Sequence, residues 1–182
     1  MGIPQPSANA FQEESAHDAR AVANLLLDMA ALEAIELTNL KIQKLMYFAH
    51  AESLVRYQRA LVRQPFEAWE MGPVVKPVYD QFKAFKDRPI LQPARSFDVA
   101  AAAWIPVPYT AIGPGARATV QLTLASYGRV SAFHLSDLTH QPGSPWHIVR
   151  TTPTSVANVG LRISNSLIFA YFGNGAGNRL LN

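Results

Sequence analysis

The 182-residue chain contains no cysteine. That excludes disulfides, iron–sulfur clusters, thiolate zinc sites and a cysteine nucleophile. Charge is also scarce: Asp, Glu, Lys and Arg make up 16% of the residues, well under the usual quarter. So few solvating groups point to apolar surface that a partner covers. No apolar run approaches the ~20 residues needed to span a bilayer. Met1–Glu14 lacks a basic start, an apolar stretch and a small-residue cleavage motif. It does not read as a signal peptide, and a cytoplasmic location is the expectation.

Acid is nearly missing from the second half. Residues 99–182 hold five arginines and one acid, Asp137, and no lysine follows Lys86. The chain's net charge of +3 therefore comes from scattered arginines. Nucleic-acid surfaces cluster their bases, so charge argues against such a partner.

Hydrophobic residues make up 49%, enough for one folded domain with a sequestered core. Residues 1–14 and 173–182 (GNGAGNRLLN at the latter end) lack periodicity and read as flexible tails around a domain at 15–172. The fold class expected is mainly α (α+β), about six helices with a small β element. Asp18 caps a first helix to about Glu33, with Val22, Leu25, Leu26, Met29 and Leu32 on one buried stripe. Thr38 caps a second helix to about Arg56, apolar on more than one face and so the central one.

Residues 64–75 alternate as a strand that breaks at Gly72–Pro73. A helix follows from Pro77 to about Lys86. The proline-rich stretch from Asp87 to Gly115 holds short strands near 97–100 and 104–107. Pro114 opens a fourth helix that ends on Gly128, with Val120, Leu122 and Leu124 inward. Ser131 caps a fifth, with Phe133, Leu135 and Leu138 inward. Ser144–Pro145 starts a short sixth segment carrying Trp146, and Ser164 caps the last helix.

Few chemistry-bearing patterns survive inspection. His17, His50, His134, His140 and His147 do not share metal-ligand spacing, and they read as capping and hydrogen-bonding residues. No cofactor motif is present: Gly173–Gly177 follows a helix where a dinucleotide loop follows a strand. Gly113–Pro114–Gly115 reads as an ordinary loop-to-helix turn. Ser131, His134 and Asp137 share a helix face, the one hydrolase-like arrangement, but Ser131 is better used as a cap. Residues 114–140 resemble a helix-turn-helix, which would suit a DNA-binding autoregulator. The second helix of that pair, however, carries no Arg, Lys, Asn or Gln to reach base edges. No catalysis is expected. Apolar Trp69, Met71, Val74 and Val75 surround the Gly–Pro break, where Trp and Met favour interfaces; filling the core is the equal alternative. Trp146 reads as core.

Specific residues carry a resemblance. Leu37–His50 (LTNLKIQKLMYFAH), then Phe66–Val75 (FEAWEMGPVV), Val78–Tyr79 and Phe82, are similar to the two-part opening signature of the Panacea-domain antitoxin family. Tyr127–Gly128, Ser131, Leu135, Leu138–Thr139–His140, Ser144–Pro145–Trp146, Ile163–Ser164, Ile168 and Tyr171–Phe172 continue it in order. The matching signature residues are Thr38, Leu40, Lys41, Gln43, Lys44, Tyr47, Phe48, Gly72, Thr139, His140, Pro145 and Trp146. Where the family has glycine after the tyrosine ending the second helix, this chain has Gln58.

The resemblance implies an antitoxin that binds a cognate protein toxin. Among family members it is strongest to the SocA-like ones, which implies a proteolytic adaptor delivering a SocB-like, replication-inhibiting toxin to the ClpXP protease. The face expected to meet the toxin is Trp69, Glu70, Met71, Pro73, Val74 and Tyr79, with the two tails as tethers for the protease.

Overall fold

A computed structural model describes residues 16–152 and 161–174. Both candidate tails, apart from residues 173 and 174, lie outside the described residues. Helix α1, Ala19–Leu32, starts on Asp18, whose carboxylate accepts from the Arg20 amide and is bound by the Arg20 and Arg63 guanidinia. Helix α2, Asn39–Tyr57, starts on Thr38. It is buried at nearly every position from Ile42 to Leu54, and α1, α4 (Pro114–Tyr127), α5 (Ala132–Thr139) and α7 (Asn165–Gly173) pack around it. Tyr47 and Phe48 sit at its middle in an aromatic cluster with Phe66, Tyr127 and Phe172.

A three-stranded antiparallel sheet lies across one end of this assembly, in the order β2 (Gly72–Val74), β1 (Phe66–Trp69), β5 (Arg162–Ile163). Phe66 and Ala68 face the core, as the alternation predicts. Ala68 pairs with Pro73, and Phe66 pairs with Ile163. Strand β5 is too short to leave a pattern in the sequence. Helix α3, Lys76–Phe82, ends in a 3-10 turn, Lys83–Phe85, so the α-helix closes earlier than expected. Strands β3 (Arg95–Asp98) and β4 (Ala103–Pro106) form a separate hairpin, one to two residues before the expected positions. The buried Asn24 amide anchors its base, donating to the Ala94 and Val107 carbonyls and accepting from the Ala94 amide. Helix α6, Pro145–Thr151, follows Ser144, which caps it. Seven α-helices are present among the described residues, in a mainly α, α+β domain.

Three residues expected inside lie outside. Leu32, the last residue of α1, is 89% exposed, Phe133 is 70% exposed, and Leu122 is exposed as well. Each falls on the flank of its helix's apolar stripe, or at a helix end, where no neighbouring element covers it. Gly128 also differs in its reason. It closes α4 at φ −59, so it is not a left-handed stop. A Cβ there would lie 2.4 Å from the Leu124 carbonyl oxygen and 2.9 Å from Ile35 Cδ1, so close approach requires the glycine.

Gln58, standing where the family has glycine, adopts the left-handed conformation at φ 52, ψ 35. That conformation costs about 1 kcal/mol for a residue with a Cβ. Gln58→Gly is expected to raise unfolding stability by roughly 0.5–1 kcal/mol, measured by urea titration. A loss of stability would show that the Gln58 side chain contributes more than its backbone strain costs.

Candidate functional site

The β1–β2 hairpin turns through Glu70 and Met71, both exposed. Its tightness depends on Gly72 at φ +100, a conformation that side chains disfavour. What distinguishes this hairpin is how many side chains hold its backbone. From α2, Lys44 Nζ donates to the Pro73 carbonyl at 3.0 Å, and Gln43 Oε1 accepts from the Val75 amide at 2.8 Å. From α5, the Ser136 hydroxyl donates to the Met71 carbonyl at 2.7 Å. From α6, Trp146 Nε1 donates to the Trp69 carbonyl at 2.7 Å. Three helices therefore fix a segment that has only a short ladder of its own. Buried hydrogen bonds of this kind favour one geometry.

Further bonds position these side chains. Gln43 Nε2 donates to Asn39 Oδ1, whose own amide donates to the Tyr79 carbonyl. Thr139 Oγ1 donates to the Ser136 carbonyl, and Ser144 Oγ donates to the Thr139 carbonyl. That second bond ties the start of α6 to the end of α5.

Lys44 is fully buried, and burial pushes its ammonium down to about 7. His140, its ring tilted 52° against the Trp146 ring at 3.8 Å between centroids, is likewise lowered, first by burial and then by the Lys44 charge. Both groups are shifted toward their neutral forms. The Lys44 side chain holds backbone through its bond to the Pro73 carbonyl. On α5, Ser131 caps the helix, accepting from the His134 amide, which is the use expected of it.

The signature residues separate into two groups. Gln43, Lys44, Gly72, Thr139, His140 and Trp146 gather at the hairpin, with Pro145 starting the helix that brings Trp146. Tyr47 and Phe48 belong to the aromatic core, and Thr38 caps α2 while Leu40 and Lys41 lie half-buried in its first turn. The candidate face is divided too. Glu70 and Met71 are exposed, and Met71 presents 43% of its surface. Trp69 and Tyr79 are half-buried, their rings edge to face at 4.8 Å, and Trp69 Nε1 donates to Glu67. Pro73 and Val74 are buried, so neither side chain is available to a partner. Trp146, read as core, is half-buried and works through its indole N–H. Ser136 was missed: a lone serine inside a helix gives no sequence signal of a long-range bond. Among the described residues no three His, Asp or Glu side chains gather as a metal site, and no helix is long and apolar enough to cross a membrane.

Residues 42–147, which include Gln43, Lys44, Gly72, Ser136 and Trp146, match the family described as Antitoxin SocA-like, Panacea domain. The chain belongs to the SocA-like Panacea-domain antitoxin family. It is 39% identical over 160 residues to Antitoxin SocA of Caulobacter vibrioides (strain NA1000 / CB15N), covering 86% of this chain and 83% of that protein. No solved structure matches the chain.

Proposed function

We propose that this antitoxin neutralises its cognate toxin by direct binding through the hairpin turn, and passes the bound toxin to the ClpXP protease. Family membership carries the reading: the similarity to Antitoxin SocA extends over most of both chains. The rigid cradle supports the choice of face. A loop held by side chains from three helices loses little entropy on binding, and Met71 beside half-buried Trp69 and Tyr79 offers an apolar contact ringed by Glu67 and Glu70. A SocB-like toxin acting on replication, and a cytoplasmic location, belong to the same proposal. So does the absence of catalysis by the chain itself.

An adaptor needs separate contacts for cargo and protease. Residues 1–14 and 175–182 are the proposed protease tethers, because tethering raises local cargo concentration without a rigid interface. The test is co-expression with a SocB-like toxin. Met71→Asp and Glu70→Arg, both at exposed positions, are expected to weaken toxin binding at least tenfold while leaving the thermal unfolding temperature unchanged. Deleting residues 1–14 or 175–182 is expected to spare binding and slow ClpXP-dependent toxin loss. Full binding by both substituted proteins removes the hairpin as the contact, and full-rate degradation with both deletions removes the tethers.

A further inference from the structure

The hairpin turn is held through its carbonyls. Those of Trp69, Met71 and Pro73 accept from Trp146, Ser136 and Lys44. Glu70 lies between them, and its backbone meets the imidazole of His140. His140 is the C-terminal cap of α5. Its ring lies against the same Trp146 indole that holds Trp69. The imidazole is therefore packed behind the turn, at the junction of α5 and α6.

Its Nε2 is buried and reaches no hydrogen-bond partner. A neutral ring can leave that nitrogen unprotonated. A charged ring cannot, because both nitrogens then carry a proton, and a buried charge without a partner is disfavoured. The neighbouring charges add to this. Lys44 from α2 and Arg150 from α6 both oppose a charged ring, and Arg150 lies over the Trp146 ring, 5.8 Å from its centroid. On the other side stand the exposed Asp137 of α5 and the Glu70 backbone. The Glu70 side chain is exposed on the turn, and the Glu67 carboxylate accepts from the Trp69 indole. Burial and the Lys44 charge prevail, and the ring is held below the ordinary histidine range.

We propose that His140 is a positioning residue that holds the hairpin turn only while its ring is neutral, so that acid releases the turn and loosens the toxin contact. Protonation sets a further cation beside Lys44 and Arg150, and opening the turn hydrates it. In the opened turn the ring titrates in its ordinary range, near 6.5. Between that range and the lower value of the closed turn, the open form holds a proton that the closed form lacks. Opening therefore grows as pH falls through this window. The effect on toxin rests on the hairpin as the contact; the effect on the turn does not.

Burial also holds His50 and His17 low, so acid weakens the whole fold and the turn must be compared with another element. In the free full chain, amide exchange protection of Gly72 and Val75 is expected to fall at least threefold more than that of Leu25 and Leu26 in α1 between pH 7.5 and pH 5.5. His140→Gln, which cannot titrate, is expected to abolish the excess. Asp137→Asn, at an exposed position, is expected to shift the His140 ring titration, followed by NMR, and the opening together to lower pH. A turn that loses no more protection than α1, or an excess that persists in His140→Gln, overturns the proposal. So does an opening that stays in place while Asp137→Asn moves the ring titration. Affinity for the co-expressed toxin is expected to fall at least threefold over the same pH range in the native chain and to change less in His140→Gln. Acid opening of the free turn with equal affinity changes in both proteins leaves the latch standing and counts against the hairpin as the toxin contact.

Discussion

Gly72→Ala is expected to destabilise the protein by about 2–6 kcal/mol. Two effects add. The residue sits at φ +100, where a Cβ is strained by about 1–3 kcal/mol. That Cβ would also lie 2.6 Å from Thr139 Oγ1 and 2.9 Å from Lys44 Cε and Nζ. Lysine ends usually move aside, but here Nζ is bound to the Pro73 carbonyl in a fully buried position. Overpacking of this kind costs about 1–3 kcal/mol more. The hairpin must therefore open before it accepts a methyl group. Guanidinium denaturation measures the loss. Thr139→Ala added to Gly72→Ala is expected to recover part of the steric share and none of the backbone share. A cost below about 1 kcal/mol would mean that the turn is not held as described.

The second large effect is a pH dependence centred on Lys44. An unfolded lysine titrates near 10.5, whereas burial brings this one to about 7 in the folded state. Between those values the unfolded chain holds a proton that the folded chain has released. Unfolding free energy therefore rises with pH across that window, by up to about 1.4 kcal/mol per unit. Below pH 7 both states are protonated and this contribution is flat. Lys44→Met removes the titration. Its stability relative to the native chain is expected to fall steadily from pH 7 to pH 10, because the native chain gains while the variant does not. At the upper end the neutral amine still donates to Pro73, a bond that methionine cannot make. Urea titrations of both proteins at several pH values give the difference directly; parallel curves across this window contradict the burial of an unpaired lysine.

How much of this was legible in the sequence depends on the range of the interaction. Local signals translated well. Asp18, Thr38, Ser131, Ser144 and Ser164 all cap the helices assigned to them, because a cap is a bond within three residues. The alternation of Phe66 to Trp69 and the break at Gly72 also read directly. Burial was less legible. Helical spacing put Leu32, Leu122 and Phe133 on apolar stripes, but spacing does not say where a neighbouring helix stops. The hairpin cradle was least legible. Lys44, Ser136 and Trp146 are separated by up to about a hundred residues, and a lysine on a helix looks solvated until the turn that buries it is seen. The resemblance to the antitoxin family located most of these residues without giving their roles. The structure shows why Lys44, Gly72 and Thr139 belong together: they occupy one small volume. It also shows that the Pro73 and Val74 side chains are buried, a distinction that composition at the Gly–Pro break does not make.

The central claim is that the cradle presents Trp69, Glu70 and Met71, flanked by Tyr79, to the toxin. Amide hydrogen exchange of the full chain, alone and bound to its co-expressed toxin, tests it most directly. Toxin is expected to add protection to the amides of residues 69–72 and around Tyr79, with little change at the β3–β4 hairpin. Added protection confined to residues 95–106 or to the C-terminal end of α1, with the 69–72 turn exchanging as in the free chain, would contradict the account.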